Sequence, residues 1–376
     1  MRLTPTLFVL TLLCAPPSAH ADSARYDLRV ELGTEYDSNP DRAEQIANFP
    51  PPLTPAGPSP LARLVAAGNW ASALGQSGGL ALSGAGAGKR FFDQDARGDD
   101  VLIVQTGANG TLRVAGRTIV GLAGSYFDAF QRGPADRRDF RSLAPTLRIE
   151  QGFAQAAQIT LGGGYRWYTF KSDENFSFAG PTAFVTARQM FPGNLDRGEA
   201  DWEWTAGASL EWRGFEGPAC TDPTCTAVSS SPPDRLDRFW ISYIELTRTT
   251  TFLLGAGAAL HLNQSNSYGE GLVRGVLHLR AVVPLPWALS LSSRADLLAT
   301  HYWNSQVLAQ DPNAGVPLVS IEDENRSTLH IEVTRPLARG FEIGARYVFY
   351  TSFPSRGAVD YRRQTALLYL AVFDER

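Results

Sequence analysis

The feature that most constrains this chain is an alternation of apolar and polar residues sustained over segments of about 10 to 15 residues. From Asp201 to Arg213, Trp202, Trp204, Ala206, Ala208, Leu210 and Trp212 alternate with Glu203, Thr205, Gly207, Ser209, Glu211 and Arg213. Successive side chains of a β-strand point to opposite faces, so this segment presents one apolar and one polar surface. Tyr26, Leu28, Val30, Leu32 and Tyr36 alternate in the same way with Asp27, Arg29, Glu31 and Glu35, and Phe341, Ile343, Ala345 and Tyr347 with Glu342, Gly344 and Arg346. Strands of this length exceed the usual ~5 to 6 residues of globular sheets. They match the tilted strands that cross a bilayer as a closed barrel. No apolar run approaches the ~18 residues of a membrane helix.

The chain opens with Arg2, an apolar stretch from Leu7 to Leu13, and Ala19-His20-Ala21 ahead of Asp22. This pattern is expected of a secretory signal peptide over residues 1–21, leaving 22–376 as a single barrel domain. Cys14 is not read as a lipidation site, because Leu13 is too large for the residue before it. Cys220 and Cys225 flank a short Pro-containing stretch and are expected to form a small loop disulfide in an oxidising compartment. A two-cysteine metal clip is the competing reading, but no other Cys or His lies nearby in sequence. The balance of 34 basic and 38 acidic residues gives a net charge of −4, which excludes recruitment of nucleic acid by bulk charge.

Connections give a second, independent pattern. Short turns are read near Gln76-Ser77, Ala115-Gly116, Ala154-Gln155, Pro192-Gly193, Thr249-Thr250, Pro284-Leu285-Pro286 and Ala338-Arg339. Longer polar connections fall between them, at Asp37 to Pro60, Asp93 to Asp100, Gly133 to Asp139, Ser172 to Gly180, Glu216 to Asp234, Gln264 to Glu270, Asn304 to Asp323 and Pro354 to Val359. Short periplasmic turns alternating with long external loops define outer-membrane barrels, and this series predicts an all-β, antiparallel transmembrane barrel of about 16 strands (16 to 18) with both termini periplasmic. The tryptophans fall near strand ends, as aromatic girdles do; Trp70 is not assigned to either. Two places resist the scheme. Pro145 interrupts the strand from Phe140 to Glu150 and invites a bulge, and Leu61 to Leu74 fits a short helix as well as a strand.

Candidate chemistry is sparse. Gly84-Ala85-Gly86-Ala87-Gly88-Lys89 resembles a phosphate-binding loop, but it is one residue short, is followed by Arg90, and falls in a strand. His261, His278, His301 and His330 are scattered without ligand spacing, so no metal and no cofactor is expected. No G-x-S-x-G turn is present, and the chain is read as a conduit rather than an enzyme, a rim hydrolase being a lesser alternative. The candidate site is the polar inner face. By parity it holds Arg29, Arg148, Arg166, Arg213, Arg274, Arg280, Arg294 and Arg346, with Asp27, Glu31, Glu150, Glu203, Glu211, Asp296, Glu332 and Glu342. These charges could line an open conduit or brace a plugged barrel with salt bridges. Their balance argues against a steep anion or cation filter.

Gly33-Thr34-Glu35-Tyr36-Asp37-Ser38-Asn39, Asn263-Gln264-Ser265-Asn266-Ser267-Tyr268-Gly269 and Arg138-Asp139-Phe140 resemble the loop entries of outer-membrane barrels of the polysaccharide-export kind. As a pattern the chain is similar to the barrel of the poly-N-acetylglucosamine export porin and to stand-alone barrels that serve short periplasmic polysaccharide-export proteins. The resemblance implies the outer membrane of a Gram-negative bacterium, with outer-membrane lipid, the barrel-assembly machinery, a periplasmic export protein and a polysaccharide cargo as partners. That export porin carries helical periplasmic repeats before its barrel. Here Asp22 runs almost directly into the first strand, so a separate partner is expected to supply them. Thr365, Leu367, Tyr369, Ala371 and Phe373 alternate as a C-terminal insertion signal does, although Asp374-Glu375-Arg376 follow. A general or solute-specific porin is the alternative reading.

Overall fold

A computed structural model describes residues 24–40, 45–46, 57–94, 96–97, 100–132, 139–153, 156–171, 173–193, 201–222, 234–304, 327–351, 359–360 and 362–375. The expected signal peptide lies outside them. The strands are β1 (Arg25–Asp37), β2 (Gln45–Ile46), β3 (Ser59–Leu74), β4 (Gly78–Phe91), β5 (Asp100–Ala115), β6 (Thr118–Arg132), β7 (Phe140–Gly152), β8 (Ala157–Phe170) and β9 (Phe178–Phe191). There follow β10 (Asp201–Pro218), β11 (Asp234–Thr249), β12 (Leu253–Ser265), β13 (Leu272–Leu285), β14 (Leu289–Tyr302), β15 (Ser327–Ala338), β16 (Phe341–Thr351), β17 (Val359–Asp360) and β18 (Arg362–Glu375). All but β2 and β17 pair with their chain neighbours into one closed antiparallel barrel, sealed where β1 meets β18. That is the expected sixteen strands. The two short strands pair with each other, joining the first long connection to the last.

Closure removes every sheet edge, so each backbone donor and acceptor of the wall can be met within the ladder. The predicted turns fall at or just beyond strand ends, except Ala154-Gln155, which lies outside the described residues, and Gly75, Gly116 and Gly340 supply the left-handed residues that tight turns need. One length departs from expectation. The connection from β9 to β10 runs over 192–200 and is longer than that from β12 to β13 over 266–271. Side therefore alternates strictly around the barrel while length does not. The start of β1 and the end of β18 both lie at the short-turn end, where Asp27 pairs with Glu375.

The barrel is inside out relative to a soluble protein. Leu32, Leu122, Leu147, Leu161, Ile244 and Leu368 are all exposed, at 46% or more, on the outer face. Glu31, Glu35, Asp37, Glu211 and Asp237 are buried on the inner one. Trp167, Trp240 and Trp303 are exposed toward the long-loop end, and Trp202 and Trp287 toward the short turns. Trp70 pairs with Tyr26 and joins the short-turn set.

The two doubtful segments resolve as strands. Leu61 to Leu74 lies within β3, held in register by β1 on one side and β4 on the other. Pro145 needs no bulge: β7 keeps one register against β8 while the ladder skips Ala144 and Pro145. Gly164, the partner of the next residue Thr146, lets the strands approach: a Cβ there would overlap the Pro145 carbonyl. Gly84 to Lys89 is part of β4, so the resemblance to a phosphate-binding loop does not hold. Leu367, Tyr369 and Ala371 pack inward as a buried cluster, while Leu368, Leu370 and Val372 form the outer face of the last strand.

Candidate functional site

The inner wall is built by parity, and each charged residue assigned to it from the sequence shares the inward face of its strand. The register then sorts them into clusters that the sequence does not reveal. At the seam, Arg29 reaches Glu31 at 2.9 Å and Glu342 at 2.6 Å. Arg346 bridges Glu332 at 2.6 Å and Glu31 at 3.4 Å, and the Tyr369 hydroxyl donates to Glu332 at 2.7 Å. On β7, Arg148 holds Glu150 at 2.5 Å. Across β9 and β10, Arg188 grips Glu203 with two bonds of 2.7 Å. Arg280 pairs with Glu245 at 2.9 Å, and Asp296 is shared by Arg294 and His278. Arg166 and Arg213 converge on one oxygen of Glu211, at 3.4 and 3.0 Å. Arg274 donates to Thr300, and Asn69 donates to Asp27.

Other members are not among the sequence candidates, although the alternation already puts Glu35 on the polar face of its strand. Glu35 is clamped by Arg63 and Lys89, each at 2.6 Å. Arg363 binds Asp37 through both nitrogens at the top of the seam. Arg235 bridges Asp237 at 2.7 Å and Glu270 at 2.9 Å. Burial holds the Glu270 carboxyl above its ordinary range, with Asp237 adding to the effect and Arg235 opposing it. Parity alone places Glu35, Arg63 and Lys89 inward. Outside the wall, Tyr126, Arg141 and Lys171 surround Asp128 near the long loops, a polar patch above the apolar belt.

Two gradients shape the bore. Along the axis, the pairs nearest the long loops are sealed: Asp37 and Arg363 are 0% and 5% exposed, whereas Arg280 and Arg294 lower down are 48% and 63%. Around the wall, β3 to β6 present mainly small uncharged residues between the rims, among them Ala67, Ala85, Ala87, Ala123 and Ser125. This smooth sector stands across the barrel from β11 to β14, which carry Glu245, His278, Arg280, Arg294 and Asp296. Small inward side chains leave space, where a filled barrel interior would call for large ones.

Cys220 is disulfide-bonded, and its backbone ties the loop after β10 to that after β12 through Ser267 and Tyr268. Cys225 lies outside the described residues. Among the described residues no group of three His, Cys, Asp or Glu could hold a metal.

No family model and no curated protein matches the sequence. Among solved structures, OccAB4 of Acinetobacter baumannii aligns over 95% of this chain and 99% of its own at 7% identity, with a TM-score of 0.49. OccK11 of Pseudomonas aeruginosa aligns over 94% and 96% at 11% identity, with a TM-score of 0.44. OprB of Pseudomonas putida covers 93% of this chain and 94% of its own at 10% identity, with a TM-score of 0.53, so the chain shares the sixteen-strand barrel fold of an outer-membrane porin.

Proposed function

We propose that this chain is an integral outer-membrane channel that carries a polar cargo along its inner wall, the short-turn end and both termini facing the periplasm. The observation that carries the reading is the lopsided bore, smooth and uncharged on β3 to β6 and hydrogen-bonding on β11 to β14. The apolar outer face supports placement in lipid, because a soluble barrel would expose these leucines to water. Paired charges of both signs favour passage of neutral or weakly charged solutes over sharp ion selection.

The cargo we favour is a secreted polysaccharide, handed over by a periplasmic partner. Its support is the hydrogen-bonding wall and the resemblance in loop entries. Single-channel conductance of the refolded barrel in a planar bilayer tests the channel; a large, weakly selective conductance is expected, and a silent barrel overturns it. Deleting the gene tests the cargo, since unchanged surface polysaccharide overturns export. The porin-like fold favours a second reading, a diffusion porin, which predicts slowed uptake of small solutes in the same deletion strain.

A further inference from the structure

Five aromatic side chains on five consecutive strands share the inward face: Phe127 of β6, Phe140 of β7, Tyr168 of β8, Phe178 of β9 and Phe215 of β10. Their ring centroids follow one another at 5.1, 5.3, 4.9 and 5.2 Å. The first three steps have interplanar angles of 3°, 25° and 14°. Parallel rings so far apart are offset rather than eclipsed, as aromatic pairs prefer. They overlap like shingles, so each keeps part of its face uncovered. The row follows the strand spacing, which is also close to the length of one pyranose residue.

The second observation is independent of the rings. Beside Tyr168 and Phe178 stand Arg166, Glu211 and Arg213. Glu211 is 8% exposed, and its Oε1 has no hydrogen-bond partner, although Oε2 receives both arginines. The Nε atoms of Arg166 and Arg213 are likewise buried and unpartnered. Arg213 lies over the rings of Phe178 and Phe239, at 5.1 and 4.2 Å, which fixes its guanidinium in place. These three atoms have no surface facing the bore; the polar group that does is the Arg166 guanidinium, whose side chain is 40% exposed and which Glu211 holds through Oε2. A row of aromatic rings flanked by an exposed guanidinium donor matches the chemistry of a sugar. Its C–H faces suit the negative face of an aromatic ring, and its hydroxyls both donate and accept.

We propose that this arc is a saccharide-binding site in the bore, at which a pyranose chain lies across Tyr168 and Phe178 and accepts a hydrogen bond at a hydroxyl from the guanidinium of Arg166. The proposal rests on the channel reading and names its ligand class. It is tested by calorimetric titration of the folded barrel in detergent with hexasaccharides of glucose, N-acetylglucosamine and glucuronate. Folding of every variant is checked by heat-modifiable electrophoretic mobility. At least one hexasaccharide should bind, Phe178→Leu should weaken it about three- to tenfold through loss of the ring, and Arg166→Met about fivefold through loss of the donor. Leu161→Ala on the outer face should bind as the parent does. If none of the sugars binds, or if both inner-wall variants bind as tightly as the parent, the site is overturned; an equal heat from polyethylene glycol of matched mass also overturns it, as unspecific filling. Conductance separates the two claims: sugar binding by a silent barrel overturns the channel and leaves the site standing, and an open channel without sugar binding does the reverse.

Discussion

Replacing Asp37 tests whether the top of the seam between β1 and β18 is held by a desolvated ion pair. Asp37 is fully buried and Arg363 is 5% exposed, with contacts of 2.5 and 2.9 Å between them. Removing one partner of such a pair strands the other charge and costs ~3–5 kcal/mol. Asp37→Ala should therefore destabilise the barrel by that amount. Asp37→Asn keeps an acceptor for Arg363 and recovers ~1.5 kcal/mol of a charged hydrogen bond, for a net loss of ~1.5–3.5 kcal/mol. Asp37→Ala combined with Arg363→Met removes both charges and should be less destabilised than Asp37→Ala alone. Reversible urea unfolding in lipid, followed by tryptophan fluorescence, of the parent, Asp37→Ala, Arg363→Met and their combination gives all four free energies of the cycle. A coupling energy below ~1 kcal/mol, the value of exposed pairs, would refute the argument and mean that water reaches the seam.

Other predictions follow from single positions. Leu122 faces outward and Ala123 inward on β6, so Leu122→Arg should cost ~2–4 kcal/mol on folding into lipid while Ala123→Arg costs little; equal losses in a liposome folding titration would contradict the assigned faces. Ala288 has a φ of 57° in the turn after β13, and Ala288→Gly should raise the unfolding free energy by up to ~1 kcal/mol; a lower urea midpoint would argue against strain there. A Cβ at Gly344 would overlap the Tyr369 ring, so Gly344→Val should cost ~1–3 kcal/mol, and no change in the urea midpoint would mean that the ring has room to move. The raised Glu270 carboxyl binds its proton more tightly folded than unfolded. Its contribution is present below the unfolded value and lost as pH rises through the folded one. Glu270→Gln should flatten that part of the pH–stability curve, and an unchanged curve would rule the group out as its source.

What the sequence made legible was local. Parity assigns a face from neighbours two residues apart, and turn residues mark strand ends, so the strand number and the inward set followed from short windows. Leu61 to Leu74 stayed ambiguous because its spacing fits two periods, and only pairing with β1 and β4 decides between them. Partnership within the site was illegible for the same reason. Arg29 meets Glu342 and Asp37 meets Arg363 across more than 300 residues, joined only when the barrel closes. The aromatic row left no sequence signal, since each ring stands alone on its strand and the stagger of five strands brings them into line. Cross-strand register therefore carries the candidate site, and parity carries the fold.

That division also explains the glycines of the inner wall. A Cβ at Gly207 would come within 2.8 Å of the Tyr243 ring, one at Gly255 would stand 2.6 Å from Arg280 Nε, and one at Gly121 would meet Arg148 at 3.1 Å. In each case a long side chain lies down across the glycine of the neighbouring strand. A side chain laid along the wall occupies its thickness, whereas one standing upright would occupy the bore. The glycines thus let long Arg and Tyr side chains lie along the wall. They also fix the headgroups of those side chains, because a guanidinium pressed onto the wall has fewer rotamers than one free in the lumen. Side chains held along the wall in this way present their donors at set positions, which is what the proposed recognition of a sugar requires.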